Sequence, residues 1–378
     1  MDINGFCDER FARVRDAFEE NFTARADIGA CFAATLEGEF VIDLWGGHQD
    51  AARARPWVED TIINVFSSTK TMTFLCALML ADRDQLDLDA PVANYWPEFS
   101  ANGKEGILVK HLLSHAAGLP GFSRPMSPDE LYDWDLCCAD LAAQPSWWES
   151  RDQSGYHAIT QGYLIGEVIR RITGLTFGQF FKAEVADRVG ADFCIGVDPA
   201  DFARIADLVP AAEVQPLLEM DADSIQGRVF AGLDISPETT GSQGWRRAEI
   251  PAANGHGNAR SIVRAQTAMA NDGSAFGVEL LSRDGCARAL EVQTEGEDLV
   301  LSIPVRYAMG YGLPSPAIPI SPNPNTSFRG RAGGSTITVD TDARVCFSYV
   351  MNQMDNFIIG GPRGQALTDA MYDSLKNL

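Results

Sequence analysis

The apolar residues of the chain fall into runs of three kinds. Phe11, Val14, Phe18 and Phe22 recur at helical spacing, so residues 8–22 read as an amphipathic helix. The next stretch, ACFAATLEGEFVIDLWGG, holds two β-rich runs around Glu37-Gly38 and predicts a hairpin over roughly residues 28–46. Residues 67–82 (SSTKTMTFLCALMLAD) are apolar nearly all round after their first turn, which predicts a helix buried on every side. From 83 to 255, helical patterns alternate with Pro- and Gly-rich loops, and little follows a period of two. GYLIGEVIRRITG is the clearest: Leu164, Ile165, Val168, Ile169 and Ile172 form a stripe on a helix over 159–173, and Gly174 is its stop signal. Helical patterning returns at 258–273, with Ile262, Val263 and Met269. STITVD and RVCFSYVMN then predict two strands around Thr341-Asp342-Ala343-Arg344, and 363–377 is helical again.

The β-rich regions lie at opposite ends of the chain. One sheet can hold both only if the N-terminal hairpin pairs with the C-terminal strands. That predicts an α+β fold: an antiparallel sheet flanked by helices and built from residues 1–82 and 256–378. Residues 83–255 form a mostly helical inserted lobe, with the active site at the interface.

Composition narrows the functional classes. Over 378 residues, 46% are apolar and 22% charged, the balance of a soluble globular protein. A formal net charge of −22 argues against nucleic acid and anionic membranes as partners. No run of about 18 apolar residues exists to span a bilayer. The opening MDINGFCDERFARVRD lacks the apolar stretch of a signal peptide, and the eight cysteines are irregularly spaced, with Cys31, Cys76 and Cys346 inside apolar strings. A reduced, cytoplasmic setting is the expectation. There is no CxxC, and the pair His111/His115 lacks the Glu of HExxH, so no metal or other cofactor is called for.

The chemistry concentrates in Phe66-Ser67-Ser68-Thr69-Lys70. If Ser67 opens the buried helix, Lys70 follows one turn later on the same face. A serine hydroxyl needs a base to attack at neutral pH, and a lysine shielded at the root of a buried helix has its charged form disfavoured. The Ser67 N–H, at a helix N-terminus, suits a developing oxyanion. The bland alternative makes Ser67 an N-cap and Lys70 a solvated first-turn residue. A second piece is Ser154-Gly155-Tyr156-His157-Ala158, where Tyr156 at a helix mouth can relay a proton or be an ordinary half-buried tyrosine. A third is Arg329-Gly330-Arg331-Ala332-Gly333-Gly334-Ser335, whose glycines precede STITVD, read as an edge strand with free N–H groups. His256, in Asn254-Gly255-His256-Gly257, is a candidate substrate contact. Trp134, with Trp147 and Trp148, is a candidate wall for an acyl or alcohol pocket. No GxSxG occurs, which removes the α/β-hydrolase reading.

SSTK, HLLSHAAGLPGF at 111–122, GYHAITQGYLIGEVIRRITG and the Gly-Gly-Ser strand, in this order, resemble the serine β-lactamase and DD-peptidase superfamily. Within it the chain is most similar to the β-lactamase-like family VIII carboxylesterases, over about residues 10–375. The resemblance implies Ser67 as acylated nucleophile, Lys70 as general base and Tyr156 sharing proton transfer. It implies hydrolysis of small, short-chain carboxylic esters through an acyl-enzyme. A β-lactamase, a D-amino-acid peptidase or an acyl transferase would use the same machinery, whereas a non-catalytic binding protein has no need of these three residues. Two departures stand out. Position 158 is Ala where penicillin-binding relatives carry Asn. The edge-strand Lys or His, small residue, Gly is replaced by Arg-Gly-Arg-Ala-Gly-Gly, one residue short. Ala332 or Gly333 is the expected second oxyanion donor, and Arg329 or Arg331 the expected partner for a substrate carboxylate. Oligomeric state is not legible in the sequence.

Overall fold

The structure is a computed structural model that describes residues 2–211, 221, 223–231, 234–330 and 332–376. The expected hairpin is present as β2 (Gly29–Leu36) and β3 (Glu39–Gly47). Glu37 and Gly38 both take positive φ, 52° and 88°. That pair of values is what a two-residue turn between twisted strands demands. β1 (Ile3–Cys7) pairs with the outer side of β3. At the other end of the chain, β4 (Thr326–Gly330), β5 (Thr336–Asp340) and β6 (Val345–Met351) form an antiparallel meander. β6 runs antiparallel to β2, from Val345 opposite Leu36 to Met351 opposite Ala30, so the chain ends meet in one sheet of order β1-β3-β2-β6-β5-β4.

Helices cover both faces. α1 (Ala12–Ala24) and α6 (Gly361–Leu375) pack on one, where Phe11, Val14, Phe18, Leu367 and Met371 meet Phe32, Ile42 and Phe347. α5 (Ala259–Ala270) packs on the other, against β2, β5 and β6. Beneath it runs α2 (Thr69–Asp82), in which every side chain from Thr69 to Leu80 is buried. The all-round apolar pattern of that segment is therefore met by protein on every side. α3 (Trp134–Ala143) and α4 (Thr160–Thr173) lie in the middle of the chain, and Tyr163 and Leu164 of α4 share one continuous apolar core with Phe74 of α2 and Ile262 of α5. A small three-stranded patch adds a backbone link: Ile63–Asn64 pairs with His256–Gly257, and Cys194–Ile195 with Gly255–His256.

One sequence expectation is corrected here. STITVD is not the edge strand, because β4 covers it. Thr326-Ser327-Phe328-Arg329-Gly330 contains a single large apolar residue and so shows no alternation, yet its first four residues are buried by β5 and the loops around them. No helix among the described residues is long and apolar enough to cross a membrane.

Candidate active site

Ser67 sits in the tight turn Phe66–Ser68 that leads into α2. Phe66 is held at φ 40°, a conformation a bulky L-residue adopts only under constraint. β4 runs beside this turn. The Ser67 side chain remains partly open, whereas Lys70, one turn along, is fully buried.

Tyr156 reaches the same point from the loop before α4. Its hydroxyl donates to Ser67 Oγ at 2.7 Å, while Lys70 Nζ lies 3.4 Å from that oxygen. Lys70 Nζ also donates to the carbonyls of Ala158 at 2.7 Å and Ala252 at 2.9 Å. Position 158 thus contributes its backbone carbonyl. Two carbonyls take two of the ammonium's protons, and the third direction points to Ser67. Burial lowers the Lys70 ammonium to about 8 against the pull of Tyr156 the other way. Burial pushes the Tyr156 phenol up, but the positive charges of Lys70 and Arg329 outweigh it and bring it down to about 8. The two groups titrate together, so a single proton can reside on either.

The loop that carries Tyr156 is fixed by Asp298, a fully buried residue that the sequence reading did not single out. Its carboxylate accepts from Ser154 Oγ and from the N–H groups of Tyr156, Val300 and Leu301, each at 2.9 Å. A lone Asp 142 residues from Tyr156 carries no local signal that the fold will bring them together.

The expected residues at the end of the sheet divide. Ala332 lines the cavity in front of Ser67, but Gly333 does not; it turns at φ 89° against Met354. Both lie in the turn between β4 and β5. On the outer side of β4, Phe328 exchanges hydrogen bonds with Gly312 at 2.9 and 3.0 Å. Two residues on, Gly330 presents its N–H in the same direction, because strand geometry repeats every second residue. Gly312 and Gly330 both line the cavity. A Cβ on Gly330 would lie 2.0 Å from the Ile358 carbonyl oxygen, so only glycine fits there. Arg329 points inward and is buried, held by His115, rather than standing free for a carboxylate; Arg331 lies outside the described residues.

Two other candidates are placed away from Ser67. His256 is buried in the three-stranded patch, with Nδ1 bonded to the Asn254 carbonyl at 2.8 Å, and faces a different cavity beside Asn64 and Arg246. Trp134 packs on Tyr163 and donates to Glu167 at 2.8 Å, tying α3 to α4. Trp148 does lie near the site, packed on Gly155 and His157. The pair His111/His115 does not converge: His111 Nδ1 accepts from the Leu108 N–H, and His115 turns towards Arg329.

The cavity in front of Ser67 has a volume of about 160 Å³ and opens on one side. Its wall is dominated by Phe66, Ile159, Leu301, Ile303, Ile318 and Phe328. These come from segments far apart in sequence, which is why no local pattern announced them. The second arginine on the wall, Arg306, faces Glu295 at 3.6 Å.

Tyr156 and Lys70 meet on a serine at the root of a buried helix, beside a sheet built from both ends of the chain. Residues 15–369 match the family described as Beta-lactamase. The chain belongs to that family. Among curated β-lactamase-family relatives, it is 33% identical to the esterase/beta-lactamase LipL of Mycobacterium tuberculosis over 93% of this chain and 83% of that protein. Among solved structures, a family VIII carboxylesterase superposes with TM-score 0.93 at 39% identity, covering 99% of this chain and all of the other. A penicillin-binding protein homologue from Caulobacter crescentus follows at TM-score 0.92 and 36% identity, covering 99% and 100%. Membership of the β-lactamase family makes the chain a serine hydrolase.

Proposed function

We propose that the protein is a carboxylesterase that hydrolyses small neutral esters through an acyl-enzyme on Ser67. The observation that carries this reading is the Tyr156–Ser67–Lys70 contact set at the mouth of an apolar cavity. Relatives named as esterase and carboxylesterase support it.

In this reading, Ser67 Oγ attacks the ester carbonyl while its proton passes to the Tyr156–Lys70 pair. The carbonyl oxygen becomes an oxyanion held by the N–H groups of Ser67 and Gly330. Gly330 replaces Ala332 and Gly333 as the second donor because its N–H lies on the cavity side of β4. The pair returns the proton to the leaving alcohol, which departs, and water then repeats the sequence to release the acid. The cavity wall favours apolar acyl and alcohol groups.

Ester substrates fit better than β-lactams on electrostatic grounds. A β-lactam brings a carboxylate, and of the two wall arginines Arg329 is buried against His115 while Arg306 stands part-exposed, 3.6 Å from Glu295. The test compares kcat/KM for p-nitrophenyl butyrate and nitrocefin on one preparation. The ester should be faster by about a hundredfold, since a charged group left without its partner costs about 3 kcal/mol. A higher value for nitrocefin would overturn the esterase reading.

A further inference from the structure

Asn64 Oδ1, His256 Nε2 and Arg246 Nε are buried atoms with no hydrogen-bond partner among the described residues. All three residues line one cavity of about 270 Å³, which shares no described lining residue with the cavity in front of Ser67. Asn64 and His256 are only 2% and 1% exposed. They stand directly opposite each other in the three-stranded patch, so their side chains project to the same face. Buried polar atoms are nearly always paired, so orphans grouped around one cavity point to an occupant.

The neighbours of these atoms fix where the protons are. The Asn64 amide donates both N–H groups, to the carbonyls of Ala253 at 2.9 Å and Gly255 at 3.2 Å, which leaves Oδ1 as a bare acceptor. His256 Nδ1 meets the Asn254 carbonyl at 2.8 Å. A carbonyl only accepts, so Nδ1 carries the proton and Nε2 is bare. Burial, the largest cause, brings the imidazole down to about 4, so the ring is neutral at pH 7. Thr240, also on the wall, donates its one hydroxyl proton to the Ser236 carbonyl and can otherwise only accept. Arg246 is the opposite: its Nε can only donate.

Asn254 holds these groups in fixed relation. Its Oδ1 accepts from the Ile250 N–H at 2.8 Å, and its Nδ2 donates to the carbonyls of Trp245 at 2.8 Å and Ala248 at 2.5 Å. The turn that carries Arg246 is thereby tied to the strand that carries His256.

An occupant must bring two protons to Asn64 and His256 and one acceptor to Arg246. An anion would face Asn64 Oδ1 and His256 Nε2 lone pair to lone pair, and a cation would face the guanidinium. Among the described residues no three His, Cys, Asp or Glu side chains group to hold a metal. A primary carboxamide supplies what the cavity lacks: an NH2 with two protons, a carbonyl oxygen and no net charge. Ile205, Ala206, Leu208 and Pro237 offer apolar surface to its carbon frame.

We propose that this cavity binds a small neutral ligand bearing a primary carboxamide, with its NH2 on Asn64 Oδ1 and His256 Nε2 and its carbonyl oxygen on Arg246. The site is joined by backbone to the serine: Asn64 precedes Ser67 by three residues, and the segment Asn64 holds follows Ala252, whose carbonyl accepts from Lys70. It does not depend on which substrate Ser67 takes.

The experiment uses the full chain with ¹⁵N in its five histidines and follows ring nitrogens in long-range ¹H–¹⁵N spectra. His256→Leu assigns the His256 signals; if that variant does not fold by thermal melting, His256→Gln serves. Benzamide, benzoate and benzylammonium are titrated in turn. Benzamide should move His256 Nε2 saturably, with a Kd of about millimolar order. Benzoate and benzylammonium should bind there at least about tenfold more weakly. Arg246→Met, or Arg246→Gln if the first does not fold, should weaken benzamide by about tenfold or more, because the carbonyl loses a charged donor. A His256 signal that benzamide leaves in place means ordered water only and overturns the proposal. So does a stronger response to benzoate or benzylammonium, or movement confined to His115 and His157, which would put the amide in front of Ser67.

Discussion

The Tyr156 hydroxyl stands 2.7 Å from Ser67 Oγ, nearer than the Lys70 ammonium at 3.4 Å. The sequence places Lys70 beside Ser67 and Tyr156 far away, but folding makes Tyr156 the closer partner. Lys70 is held back by two carbonyls, and in the proposed mechanism it acts on Ser67 together with the phenol.

Joint action has a kinetic consequence. Tyr156→Phe and Lys70→Ala should each lower kcat/KM by about three orders of magnitude, and the double variant should lose little more than either alone. Steady-state kinetics of the three proteins checks this. Losses that multiply would show two independent groups.

The pH dependence follows from the same pair. At low pH, Lys70 is an ammonium and Tyr156 a phenol, so neither can take the Ser67 proton. Both are brought to about 8, so the first proton leaves the pair as pH rises towards that value. The profile of kcat/KM should therefore climb with pH and level off on the alkaline side of neutrality. A plateau already reached at about pH 6 would show that the acceptor is neither group.

Much of the fold was legible because hydrophobic period and burial agree. Leu164, Ile165, Val168 and Ile169 of the predicted stripe are buried, as is every residue of α4 from Thr160 to Ile169, while Ile172 is half-buried, and Glu37-Gly38 is the predicted turn. β4 was missed because its burial comes from neighbouring segments, not from its own alternation. The members of the site close in sequence, Ser67 and Lys70, were readable from spacing. Tyr156 needed the resemblance. Asp298 and the Arg329–His115 contact depend on contacts across 142 and 214 residues, which no local pattern encodes. His256 and Trp134 attracted attention as residue types, yet they meet Asn254 and Glu167, and neither lines the cavity in front of Ser67.

Asp298 should matter without touching substrate. Asp298→Ala leaves four donors unpaired around the Tyr156 loop, at about 1–3 kcal/mol for each that stays buried. Activity and melting temperature should both fall. Asp298→Asn, which keeps an acceptor oxygen, should recover part of each. An Asp298→Ala protein with parental kcat/KM would show that Tyr156 is positioned by other contacts.

The apolar wall should set chain-length preference. Ile318→Trp fills part of the cavity, so it should depress kcat/KM for p-nitrophenyl octanoate relative to the acetate by about tenfold. An unchanged ratio would place the acyl chain elsewhere, for instance beside Trp147 and Phe122 in the adjoining pocket that shares Ala158 and Ile159.

The central claim is that Ser67 is the residue acylated in turnover. The direct measurement is intact-protein and peptide mass spectrometry after reaction with a fluorophosphonate, run beside the Ser67→Ala variant. The account predicts one phosphonyl group per chain, located on Ser67, with no labelling and no ester turnover in the variant. A label on another residue, or a folded Ser67→Ala protein that still turns over ester, would contradict it.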